Sequence, residues 1–254
     1  MTDLSVVEGR AYGPAILVPT AATTERFVAA VSDDPARWRD AAPPSFAGAV
    51  LFAVAPAFLA DPDVAAHGGG VIHADQRFTW HRPFAHDVPL AVEGTVTRVR
   101  VRGDNAWVTF DLTAADGDGP VLDATSTFIV TGAAPEASEA RDEPAVHERG
   151  PHDPSGRERS ASRADLVAYA AASGDLNPIH WDHDSAVAAG LPGIVCHGLL
   201  LAAWCLGAVE APSAARVRFR SPVLAGEACT LEVADGTVTL LTDGETAVTV
   251  DVTP

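Results

Sequence analysis

Apolar and polar residues alternate over Val88–Val101, Ala106–Ala114 and Val121–Val130, and the pattern returns over Arg216–Ser221, Ala228–Ala234, Thr237–Leu241 and Thr246–Val252. A period of two, rich in Val and Thr, predicts half-buried antiparallel strands. A period of 3.6 precedes each set. Ser162 and Asp165 read as a capping box, Leu166, Tyr169, Ala170 and Ser173 follow at helical spacing, and Gly174 stops the helix. Thr23/Thr24 through Val31 is the counterpart in the first half. Val195–Val209 is apolar all round, with Gly198 near its start, and predicts a buried central helix. Phe46–Phe58 is its expected equivalent, and its small residues leave either a channel between helix and sheet or a close approach of the two.

Residues 132–160 carry Pro, Glu, Arg, Ser and Ala without apolar periodicity and read as a linker. The cut leaves units 1–131 and 161–254, each running from helices into strands, an α+β pattern. The units resemble each other. Val31–Trp38 aligns with Gly174–Trp181 through Pro35 and Pro178, and Arg77–Pro83 aligns with Arg216–Pro222. Two matches in the same order at similar spacing indicate a duplication.

Charge and composition narrow the chemistry. The formal net charge of −17 argues against a nucleic-acid partner. All 17 cationic residues are Arg, so Schiff-base lysines and the Walker P-loop are excluded. Cys196, Cys205 and Cys229 show no paired spacing and read as reduced, buried thiols. The N-terminal residues lack the apolar run of a signal peptide, and no apolar stretch reaches the roughly 20 residues of a bilayer span. The expectation is a cytoplasmic protein without membrane contact.

One stretch carries chemistry. Ser173-Gly174-Asp175-Leu176-Asn177-Pro178-Ile179-His180 sets a carboxylate and an imidazole five residues apart across an Asn-Pro turn, and Cys196-His197-Gly198 follows. Asp and His aimed at one point can move protons on water and on a carbon acid. The wording S-G-D-x-N-P-I-H followed by H-G-L resembles the hydratase 2 signature of MaoC-like enzymes. These are (R)-specific enoyl-thioester hydratases and 3-hydroxyacyl-thioester dehydratases. The resemblance implies a double hot dog, in which each of two antiparallel sheets wraps a helix, with a FAS1-like dehydratase first half. It implies Asp175 and His180 as the proton-transfer pair and the Gly198 N–H as donor to the thioester carbonyl oxygen. It implies an acyl-CoA or acyl-ACP substrate, no cofactor and no metal. In the aligned first half, Ser32 stands where the Asp belongs and Arg37 where the His belongs, so that half is expected to be catalytically silent.

Four further residues are candidates for binding substrate. Asn177 shapes the turn and the Asp–His geometry, and His197 precedes the expected oxyanion donor. Arg218 and Arg220 continue a period-two trio from Arg216, as Arg98, Arg100 and Arg102 do in the first half. Such a face is either simply solvated or a cationic rim for the phosphates of CoA or phosphopantetheine. Asp182, His183 and Asp184 lack the donors of a metal centre. A homodimer is compatible with the resemblance. Two rival functions remain: an acyl-thioesterase on the same fold, for which Val195–Val209 offers no carboxylate, and a non-catalytic acyl-thioester-binding partner.

Overall fold

A computed structural model describes residues 3–67, 70–132 and 157–254. Most of the expected linker therefore lies outside the described residues. The helices are α1 (Ala21–Ala30), α2 (Ala47–Phe52), α3 (Ala55–Leu59), α4 (Pro62–Ala65), α5 (Arg163–Ser173), α6 (His183–Ala188) and α7 (Gly198–Gly207). The main strands are β1 (Ala11–Leu17), β2 (Val71–Trp80), β3 (Leu90–Arg102), β4 (Asn105–Asp116) and β5 (Gly119–Thr131) in the first half. The second half has β6 (Glu158–Arg159), β7 (Ala214–Phe219), β8 (Cys229–Ala234), β9 (Thr237–Thr242) and β10 (Glu245–Thr253).

These strands form one antiparallel sheet of ten, in the order β1-β3-β4-β5-β2-β7-β10-β9-β8-β6. The order is a palindrome, in which each strand of the first half has its equivalent five strands later. At its centre β2 pairs with β7, and Arg77 lies opposite Arg216. These are the two residues that the internal sequence alignment equates, so the repeat axis passes between them. The helical equivalents agree. Thr20 and Thr23 cap α1 as Ser162 and Asp165 cap α5. Asp34 and Asn177 each accept a hydrogen bond from the backbone N–H two residues on, opening the 3₁₀ turns Pro35–Arg37 and Pro178–His180.

The strand alternation sorts side chains cleanly. Ala106, Val108, Phe110 and Leu112 of β4 and Val217 of β7 face the helices and are buried. Leu199 to Leu206 of α7 are all buried, which is why its sequence shows no polar face. The first-half counterpart departs from expectation: Phe46–Phe58 is not one helix but α2 and α3, broken at Ala53–Val54. Pro56 has no N–H to donate to the preceding turn, so α2 cannot run through it, and Pro56 sits instead in the first turn of a second helix. Strands β1 and β6, at the two edges, have no counterpart in the sequence pattern above.

Gly94 on the inner face of β3 is required by packing. A Cβ there would lie within 2.6 Å of Phe110 ring atoms. Gly94→Ala is expected to destabilise the fold by about 1–3 kcal/mol through overpacking, and Phe110→Leu in the same chain should recover part of the loss. Thermal unfolding of the single and double variants measures both effects.

Candidate active site

The left-handed backbone of Gly174 (φ 82°) ends α5 and turns the chain inward. Ser173 fixes the next step: its hydroxyl donates to the Tyr169 carbonyl (2.8 Å) and accepts from the Asp175 N–H (3.2 Å). The Asp175 carboxylate then accepts from the Asn177 N–H at 3.3 Å, and the Asn177 side chain accepts from the Ile179 N–H at 3.4 Å. Two successive Asx turns thus place Pro178–His180 so that His180 returns toward Asp175.

His180 is held from behind. Its Nδ1–H donates to the Val195 carbonyl at 2.9 Å. That segment is itself fixed, because the Cys196 N–H donates to Val223 O at 2.7 Å and the Ala225 N–H to Ile194 O at 2.9 Å. The bond selects the tautomer that leaves Nε2 with a free lone pair. Nε2 lies 3.9 Å from the Asp175 carboxylate, too far for a direct hydrogen bond, so both groups look into one gap. His197 lies alongside. Its ring stacks on His180 with centroids 3.8 Å apart, and its Nε2–H donates to the Asp175 carbonyl at 3.2 Å. Gly198 follows at the first position of α7, where the N–H has no acceptor within the helix. The ring of Phe219 lies against Gly198, since a Cβ there would come within 3.0 Å of it.

Burial sets the protonation states. Asp175 and His180 are 9 % and 8 % exposed. Desolvation raises the Asp175 carboxyl to about 7, opposed only by the Asn177 N–H. Desolvation lowers His180 to about 4, opposed by the Val195 carbonyl. His197 is lowered further by burial and by the neighbouring His180 ring. At neutral pH the imidazoles are uncharged and the carboxyl is near its midpoint. Among the described residues, the Tyr169 hydroxyl and His197 Nδ1 are buried without a hydrogen-bond partner. Tyr169 packs against His197, with centroids 4.9 Å apart.

The structure therefore brings together Asp175, His180, His197 and Gly198. Ligand atoms of the first three lie within 4.8 Å of one another and could also hold a metal ion. This group is distinct from the Asp182–Asp184 cluster weighed in the sequence. The structure does not bring the remaining candidates into the gap. Asn177 is exposed with its side-chain oxygen committed to the turn. Arg218 is ion-paired with Asp251 at 2.6 Å, and Arg220 is exposed. Arg218 alternates with Phe219 on the opposite strand face, and Arg220 lies just past the end of β7. Sequence reasoning missed Phe219, Tyr169 and the Val195 carbonyl. The signal for Phe219 was its place between Arg218 and Arg220, which puts it on the inner face. The three cysteines are free and buried. In the first half, Arg37 donates to Asp33 (3.1 Å) and to the Gly207 carbonyl (2.9 Å), and the Trp38 Nε1–H donates to Asp33 (2.8 Å).

Comparison with known proteins bears on the fold. Residues 145–253 match the family model described as MaoC like domain. The 3-hydroxyacyl-thioester dehydratase X of Mycobacterium tuberculosis is 29 % identical over 171 residues, 66 % of this chain; the match spans 60 % of that relative's length. The crystal structure of HtdX of Mycobacterium tuberculosis superposes with a TM-score of 0.75 at 23 % identity, covering 96 % of this chain and 99 % of that one. A protein of the same organism described as having a double hotdog fold superposes with a TM-score of 0.64 at 12 % identity, covering 96 % and 95 %. The fold is thus the double hot dog. No helix among the described residues is long and apolar enough to cross a membrane.

The raised Asp175 pKa carries a stability signature. A carboxyl held at about 7 when folded and near the usual carboxylate value when unfolded costs stability as pH rises between them. The penalty sets in near pH 4 and is complete above 7. Relative to wild type, Asp175→Asn is therefore expected to gain up to about 4 kcal/mol between pH 4 and pH 8. Chemical denaturation of both proteins at the two pH values checks this, and a constant difference would contradict the assignment.

Proposed function

We propose that this chain, whose residues 145–253 match the MaoC like domain model, is a hydro-lyase that interconverts trans-2-enoyl and (R)-3-hydroxyacyl thioesters. The observation that carries this reading is the convergence of the Asp175 carboxyl and the lone pair of His180 Nε2 on one buried gap beside the start of α7. The relative's printed activity, dehydration of 3-hydroxyacyl thioesters, supports it.

In the hydration direction, neutral His180 takes a proton from water through Nε2, and the water oxygen adds to Cβ. Protonated Asp175 delivers a proton to Cα. Elimination runs the same transfers backwards. Their opposed pKa displacements prepare the two groups for these roles, since one environment has made an acid and a base that coexist near neutrality. The Gly198 N–H, at the positive end of α7, takes the thioester oxygen as enolate charge develops. One such preorganised donor is typically worth about 3–4 kcal/mol. His197 holds the pair in register by stacking on one member and bonding the backbone of the other. Ser32 and Arg37 have no part in proton transfer.

Incubation with crotonyl-CoA separates the reading from its rivals. Loss of enoyl absorbance without thiol release is expected; released thiol identifies a thioesterase, and no change with a bound ligand identifies an acyl-binding protein. Asp175→Asn and His180→Ala should each lower the rate by roughly 10²–10⁴-fold, while Ser32→Ala should turn over at the wild-type rate. Hydration kcat/KM should fall as pH rises through about 7, where Asp175 loses its proton, and again toward pH 4, where His180 gains one. The two limbs report the pair rather than single residues.

A further inference from the structure

We propose that a groove on the outer face of β3, β4 and β5 binds the phosphates of the nucleotide end of a CoA thioester. It is lined by Arg98, Arg100, Arg102, Trp107, Thr109 and Thr127 and has a volume of about 280 Å³. The inference rests on the thioester reading above and adds to it the carrier and the place where the carrier is held.

The charge arrangement points to an anion. Arg10, Arg37, Arg77, Arg82, Arg216 and Arg218 each meet a carboxylate. Among the described residues, Arg98, Arg100 and Arg102 have no ion-pair partner. Carboxylates bordering the groove are already engaged. Asp111 accepts from the hydroxyls of Thr97 and Thr125, each at 2.7 Å. Glu8 accepts from the Val99 N–H at 2.7 Å, and Asp75 holds Arg216 at 2.9 Å. Three guanidinium groups without an ion pair therefore stand together on a protein of net charge −17. An anionic ligand repelled elsewhere is drawn here. Arg102 is braced over the Trp107 ring, 5.8 Å from its centroid. Guanidinium forks and threonine hydroxyls within one small groove match the several oxygens of phosphate esters.

The location suits a carrier whose thioester lies in the active site. Arg98, Thr109 and Thr127 are cross-strand partners and share the outer face. The adjacent inner-face row is Val99, Val108, Phe128 and His73. His73 packs on Phe128 and on Phe219, with centroids 4.8 and 4.9 Å apart, and Phe219 covers Gly198. Thus the groove and the expected oxyanion donor occupy one level of the sheet on opposite faces. His73 is two residues from the start of β2. An extended carrier arm passing round this margin of the sheet would join phosphate to thioester.

The test compares wild-type chain with the exposed double substitution Arg98→Glu, Arg100→Glu. Calorimetry with adenosine 3′,5′-bisphosphate should give salt-sensitive binding that weakens by roughly 10–100-fold in the variant. KM for crotonyl-CoA should rise by a similar factor, with crotonyl-pantetheine, which lacks the nucleotide, unaffected. Equal bisphosphate binding by both proteins, or equal loss on both thioesters, overturns the proposal. Bisphosphate binding that is lost in the variant but does not compete with crotonyl-CoA assigns the groove to free nucleotide and overturns the carrier assignment. The two readings fail separately: absent turnover with groove-dependent bisphosphate binding defeats the hydro-lyase and supports the groove, whereas turnover without that binding defeats the groove alone.

Discussion

The pairing of β2 with β7 is the constraint on which the molecule depends. It makes one sheet of two and places Arg77 opposite Arg216 on the local repeat axis. Once the half-sheets are joined, their helices share one layer. α1 packs on α5, and Gly48 of α2 allows approach to Tyr169 and Leu199, whose atoms lie 3.2 and 3.6 Å from where its Cβ would be. Small residues in the first-half apolar segment therefore serve close approach at this point. Phe52 of α2 lies against Gly174, the residue that turns the chain toward Asp175. The second-half site is thus walled partly by the first half. The first-half turn adds a brace: Arg37, aligned with His180, donates to the Gly207 carbonyl at the end of α7.

The same burial that packs the core shifts the protonation of Asp175 and His180. A carboxyl with one backbone donor and little water resists ionisation, and an imidazole with one carbonyl acceptor resists protonation. Neither shift relies on a neighbouring opposite charge. Both follow from placing short side chains at the end of an Asn-Pro turn beneath α7. The arrangement costs stability, and the orphaned Tyr169 hydroxyl and His197 Nδ1 add to that cost. Such costs concentrate where a polar guest can relieve them.

Much of this was legible because it is local. Strands β3 to β5 and β7 to β10 show in the two-residue period, α5 in its capping box, and α7 in its unbroken apolar run. The repeat was visible through Pro35, Pro178, Pro83 and Pro222, since proline fixes backbone at turns that both halves keep. What was not legible is contact at a distance. Nothing near Arg218 announces Asp251, 33 residues away, so its engagement could not be foreseen. The Val195 carbonyl that selects the His180 tautomer is a backbone atom with no sequence signature. Pro56 was visible, but whether it ends a helix or kinks one is settled by the packing around it.

The repeat also bears on the outer face. Had the arginine strip of β3 been a requirement of the fold, the equivalent strand β8 would carry one too. Its exposed residues are instead Thr230, Glu232, Val233 and Ala234. Nor is the second-half trio its equivalent, because Arg216 and Arg218 belong to the central strand and are neutralised by Asp75 and Asp251. Solvation alone does not call for three adjacent cations on one half of an acidic protein, where Glu or Asp would serve solubility as well. The second half carries Asp175 and His180, and the first half carries three arginines without an ion pair at the same level of the shared sheet.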